Sequence, residues 1–285
     1  MLEIGQVGGG YRVDTEVYPT GAETMCKLLR RVARLLVSTS VLASGVLCAQ
    51  TVGYQLQVWP ETRLERFTLP DVQSATVVGP VSQASLFGFA YDPYSGELLA
   101  AGAGDTGVSL GRLDPETAAW TPIVVLTGVE GNVMGLATLG GDEPLYLVTS
   151  DGDGTRLYTI DRATGESTLR SSFFGRMFVD IAVDETGLLF AHCIISDAIY
   201  RIDSTGNATL IGPTGLSANY AQGMDFDRSS GELYAWIYVD TTGSTAFSRI
   251  NLETGAATVL HPLVGEFEGV LTGPGIRIFG DGFEP

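Results

Sequence analysis

Three carboxylates in this chain stand where they could do chemistry: Asp180, Asp225 and Glu268. Each lies in a short apolar segment, FVDIAV, GMDFD or EFEGVL, and sister segments elsewhere carry small residues at the matching positions. Asp180 stands where the others have Gly88, Gly135, Gly223 and Gly269. Asp225 replaces Ala90, Ala137 and Ala182, and Glu268 immediately precedes the glycine position. Carboxylates facing one cavity repel each other unless a cation or a raised pKa intervenes. The trio is therefore a candidate ligand or cation site, with Ca2+ the expected ion, or an acid pair for glycoside hydrolysis, which needs two carboxylates across a scissile bond. The plainer reading is that strand alternation turns Asp180 or Asp225 against a neighbouring sheet's polar edge.

Other chemistry finds little material. The histidines are His192, on a strand, and His261, read as part of an outer loop before Pro262. There is no G-x-x-x-x-G-K-[ST] phosphate loop. Asp151 and Asp153 in the DGDG run have the spacing of the first two EF-hand ligands. Arg156 and Arg162 then occupy positions that the loop reserves for Gly and Glu, so a polar turn is expected. Cys193 reads as a small apolar strand residue. The aromatic residues Tyr94, Trp120, Tyr220, Trp236 and Tyr238 are expected mostly to fill cores.

The elements that position these residues announce themselves through a repeated phrase. LGRLDPETAAWT, LYTIDRATGEST, IYRIDSTGNAT and FSRINLETGAAT begin at 110, 157, 199 and 247, and a worn copy, RFTLPDVQSAT, begins at 66. Pro70, Asp114, Asp161, Asp203 and Asn251 are 44, 47, 42 and 48 residues apart. Asp or Asn can accept hydrogen bonds from the turn backbone, and Gly takes a positive φ, so each phrase is a hairpin turn between two strands. Residues 178–183, 188–195, 198–203 and 208–211 read as four antiparallel strands of one such unit. Four strands per 40–50 residues define a β-propeller blade, and a helical solenoid is excluded by the period-two alternation.

The seam fixes the blade count. The first phrase lacks an opening strand and the last is followed by spare chain, so residues 266–271 are placed as the innermost strand of the blade formed by 54–58, 63–69 and 75–79. That closes an all-β ring of five blades, which removes the exposed edges of an open array. The pattern LY-x-ID-x-x-TG-x-x-T resembles the repeats of bacterial exported β-propeller proteins of the YVTN/NHL-like type, over about residues 54–271. The resemblance implies a fold and is nearly silent on function. Pro70, Ala118 and Asp180 depart from its pattern.

Residues 25–49 read as a secretory signal peptide: Lys27, Arg30, Arg31 and Arg34 precede an apolar stretch from Leu35 to Leu47, with small residues at its end. Residues 1–24 read as a start placed too early or a disordered extension, 50–274 as the propeller, and 275–285 as a tail resembling the F-x-D-G-F-E endings of some exported proteins. The expected destination is periplasmic, cell-surface or secreted. Without the first 49 residues the chain holds 29 acidic and 11 basic residues, and all of the basic ones are Arg. Nucleic acid and anionic membranes are poor partners for it, and no stable membrane insertion is expected. A monomeric binding protein follows, taking a protein, a glycan or a cation at the channel mouth. Its alternatives are a hydrolase or lyase using the channel carboxylates, and a passive envelope scaffold.

Overall fold

The computed structural model describes residues 50–274 apart from 84, 105, 106 and 221; the early start, the signal peptide and the tail lie outside the described residues. Among the described residues, twenty strands form five four-stranded sheets. The first blade joins β1 (Thr51–Trp59), β2 (Arg63–Thr68) and β3 (Asp71–Pro80) to the C-terminal β20 (Glu266–Pro274) in the order β20-β1-β2-β3. The second runs from β4 (Leu86–Asp92) through β5 (Glu97–Gly104) and β6 (Gly107–Leu113) to β7 (Trp120–Val125). The third comprises β8 (Asn132–Thr138), β9 (Leu145–Ser150), β10 (Gly154–Ile160) and β11 (Ser167–Phe174). The fourth comprises β12 (Phe178–Val183), β13 (Leu189–Cys193), β14 (Ala198–Ile202) and β15 (Ala208–Pro213). The fifth comprises β16 (Gly223–Asp227), β17 (Glu232–Val239), β18 (Ser244–Ile250) and β19 (Ala257–Leu263).

The inner strands are β4, β8, β12, β16 and β20, and all run the same way through the ring. We call the face where they begin the upper face and the face where they end the lower. The seam is where the sequence places it: β20 pairs with β1 from Trp59↔Glu266 to Thr51↔Pro274, so both ends of the propeller lie side by side on the lower face. Thr51 Oγ1 donates to Asp227 Oδ1 at 2.7 Å, tying this blade to the fifth. Apolar clusters fill the spaces between sheets, among them Trp236 and Phe247 against Phe67, Phe267 and Leu271.

The phrase folds as its residues dictate. Oδ1 of Asp114, Asp161 and Asn251 each accept the backbone N–H groups two and three residues on, and Asp203 Oδ1 accepts those of Thr205 and Asn207. Gly165 and Gly255 hold φ of +76°, and Ala118 takes the same left-handed conformation at +61° despite its Cβ. Outside the phrase, every outermost strand breaks register near its middle, leaving Val78, Ile123, Arg170, Ile211 and Leu260 unpaired as bulges. A bulge on an edge strand bends it away from further pairing. His261 is not in an outer loop: it lies in β19 opposite Phe247, because an edge strand tolerates Pro262.

Candidate functional site

Asp180, Asp225 and Glu268 sit on three successive inner strands, β12, β16 and β20, but below the mouth rather than at it. Asp180 is 2% exposed and Glu268 1%, and Asp225 is partly buried. The cause is the glycine ring. A Cβ on Gly223 would lie 2.2 Å from Gly269 N, one on Gly135 2.7 Å from Asp180 Cα, and one on Gly88 3.2 Å from Gly135 C. Glycine at these places lets neighbouring inner strands approach backbone to backbone, closing the ring over the acids.

Each acid is then committed to a neighbouring strand. Glu268 Oε2 accepts Gly88 N–H at 3.0 Å, joining the first blade to the second. Asp225 Oδ2 accepts Leu271 N–H at 2.8 Å, joining the fifth to the first, and its Oδ1 accepts Phe226 N–H at 2.8 Å. Asp180 feels the amides of Ile181 and Met224, while its Oδ1 is buried with no hydrogen-bond partner. Burial pushes the Asp180 carboxyl well above the usual carboxylate range, and the charge of Glu268 adds to the push. Glu268 is likewise raised by burial, opposed by the Gly88 amide. Asp225 is raised to about 6 by burial, with Arg228 pulling it down. A raised pKa thus answers the repulsion, and among the described residues no three His, Cys, Asp or Glu side chains converge so as to hold a metal ion.

Sequence reasoning missed two neighbours of this core. His192 faces Asp180 in register on β13, is buried, and pairs through Nδ1 with Gln222 Oε1 at 2.6 Å. Its Nε2 has no partner, and burial lowers its pKa to about 4, so the ring is neutral near pH 7. Arg228, just past β16, reaches across the lower mouth to donate from Nη2 to Thr138 O of the third blade at 2.9 Å. The DPYSG turn offers a related link: Asp92 pairs with Arg162, which also donates to Thr138 Oγ1 at 2.6 Å. The DGDG run is the polar turn its spacing predicts, with Asp151 accepting Asp153 N–H and pairing with Arg156. Cys193 is buried and free.

The upper face carries a different feature, also unread from the sequence. Trp59, Phe174, Ile195, Tyr220 and Val264 are all exposed, and all lie in or beside connections on that side. Gln57 Nε2 donates to Val264 O, bringing the Trp59 and Val264 corners together. The connection between β15 and β16 bears Tyr220 and is held down by Ala218 N–H on Asp197 Oδ1 at 2.8 Å, Asn219 N–H on Tyr238 O at 3.0 Å, and the Gln222 contact with His192. Ile194 N–H donates to Met177 O, linking the Ile195 corner to the turn after Phe174.

No protein-family model matches this chain, and no curated protein matches it. Solved structures do, and they make it a β-propeller. A structural-genomics protein of unknown function from Bacteroides thetaiotaomicron aligns with TM-score 0.52 and 15% identity over 81% of this chain and 64% of its own. A chain of the nidogen–laminin complex aligns with TM-score 0.51 and 11% identity, over 78% of this chain and 98% of its own. Virginiamycin B lyase from Staphylococcus aureus is more distant, with TM-score 0.43 and 14% identity over 75% of this chain and 71% of its own. At these identities the likeness is one of fold alone.

Proposed function

We propose that this chain is an exported binding protein whose working surface is the upper face, and that its ligand is another protein. The observation that carries this is that Trp59, Phe174, Ile195, Tyr220 and Val264 are all exposed and all lie in or beside connections of the upper face. Grouped exposed apolar side chains mark interaction surfaces, whereas isolated ones need no explanation. Branched aliphatics such as Ile195 and Val264 offer no flat ring for a sugar, which favours a polypeptide over a glycan. The same face carries the exposed Glu61, Asp153 and Asp240, so the partner presents apolar residues flanked by basic ones.

Export rests on the signal-like segment at 25–49 and on the resemblance to YVTN/NHL-like repeats. The hydrolase or lyase alternative asks a substrate to reach carboxyls that are nearly inaccessible, and a binding role asks nothing of them. A photo-crosslinking residue at Tyr220, compared with one at Leu252 on the lower face, should capture a partner only from the upper site. Purified with that partner, Ile195→Asp should weaken binding at least tenfold with Tm unchanged, and affinity should fall with added salt. Equal capture from both positions, or binding indifferent to Ile195→Asp, rejects the reading.

A further inference from the structure

A second feature lies on the opposite face and owes nothing to the upper surface. The third blade bears an open cleft of about 670 Å³ between the β8–β9 connection and the β10–β11 turn. Its walls include Asp142, Glu143, Thr159, Arg162, Glu166 and Thr168. The volume falls within the range of small-ligand clefts, roughly 300–1,000 Å³.

Tyr94 stands beside one wall residue: a Cβ on Gly141 would lie 3.4 Å from Tyr94 Cγ, so the base of the ring lies next to Gly141. Tyr94 is nonetheless 84% exposed, leaving most of the ring to solvent. Gly140 and Gly141 hold φ of +86° and +60°, and a side chain at Gly140 would collide with Asp92 Oδ1 at 2.3 Å. The backbone that bears the ring is fixed as well: Tyr94 N–H donates to Asp92 Oδ1 at 2.8 Å, and Asp92 pairs with the wall residue Arg162. A supported aromatic ring beside a hydroxyl- and carboxylate-lined cleft is pre-organised for a ligand with one flat C–H face and many hydroxyl groups.

We propose that this cavity and Tyr94 form a subsite for a short neutral oligosaccharide. One pyranose ring packs its C–H face on Tyr94, and the next enters the cavity. There its hydroxyls donate to Asp142, Glu143 and Glu166 in charge-assisted hydrogen bonds and exchange hydrogen bonds with Thr159 and Thr168. Arg162 is already paired with Asp92, so the lining keeps an excess of negative charge and repels uronic acids.

The test is calorimetric titration of the full chain with cellotriose, N,N′,N″-triacetylchitotriose, trigalacturonate and spermidine. Saturable binding of at least one neutral trimer is expected, with no binding of trigalacturonate. Tyr94→Ala should weaken that binding at least tenfold with Tm unchanged, and Asp142→Asn combined with Glu143→Gln should weaken it by a comparable factor. The proposal is overturned by failure of both neutral trimers, by equal binding of trigalacturonate, or by binding indifferent to both variants. Binding of spermidine alone overturns it too, by showing a cation site instead.

Discussion

The inner ring closes by two different devices, and the contrast between its halves explains what the acids do. Around β4 and β8 the strands meet through Gly88 and Gly135, with the small Ala90 and Ala137 two residues on. Around β12, β16 and β20 the same approach is supplemented by carboxylates, with Glu268 reaching to Gly88 and Asp225 to Leu271. In the first half, against the push of burial, the buried carboxyl of Asp92 at the end of β4 is held below its usual range by Arg162 and turn amides. The second half carries groups whose ionisation is opposed by burial, so the two halves respond to pH in opposite senses.

The most severe way to break the comparison is to remove the device both halves share. Gly223→Ala places a methyl group 2.2 Å from the backbone of β20, where no flexible side chain can yield. Overpacking of this kind costs on the order of 3 kcal/mol, and a drop in the denaturant midpoint at every pH is expected. A Tm unchanged from wild type would show that the strands need not approach so closely.

Asp180→Asn removes a buried ionisable group and its repulsion with Glu268 while keeping the shape. The folded-state pKa is raised, so the proton favours the native form. The penalty is absent below the unfolded carboxylate pKa and grows as pH rises through the folded one. The variant should therefore melt several degrees above wild type at pH 8 and match it at pH 4. The same Tm difference at both values would refute the protonation account.

Asp225→Asn follows the same sign with a smaller effect. A shift from 3.8 to about 6 corresponds to about 3 kcal/mol of penalty above pH 6. Loss of one of its two accepted backbone hydrogen bonds offsets about 1 kcal/mol of that. A net gain of about 2 kcal/mol at pH 8 in urea unfolding is expected. His192 works in the opposite direction: its pKa is lowered to about 4, so stability is lost as pH falls from about 6.5 towards 4. The smallest effect belongs to Tyr220→Ser on the upper face, which should leave Tm within a degree while lowering partner affinity.

The fold was legible because its signals are local. Asp161 and Gly165 specify a turn wherever they stand, and the missing strand before Tyr54 matched the surplus after Glu266. The bulges were not legible: Val78, Ile123, Ile211 and Leu260 are aliphatic like most strand residues and Arg170 is not, since a bulge follows from sheet twist and edge position. The acids stand out in the sequence as departures from small residues, and a turn of Asp225 against a neighbouring strand is the plainer of the two readings given there; the depth of their burial was not legible. Whether Asp180 meets solvent depends on how closely Gly135 and Gly223 let the strands approach across blades, which no single repeat encodes. The upper-face cluster escaped for a similar reason, since Trp59 and Val264 are 205 residues apart in the chain.

The pairing of Thr51 with Pro274 has a practical meaning for how the molecule is held. Any tether joined to either end of the ring pulls from the same side. A surface, a neighbouring domain or an affinity tag attached there turns the upper face outward, like a dish held by its foot. It also lies on the same side as the cavity beside Tyr94, so immobilisation through an end leaves one site open and crowds the other.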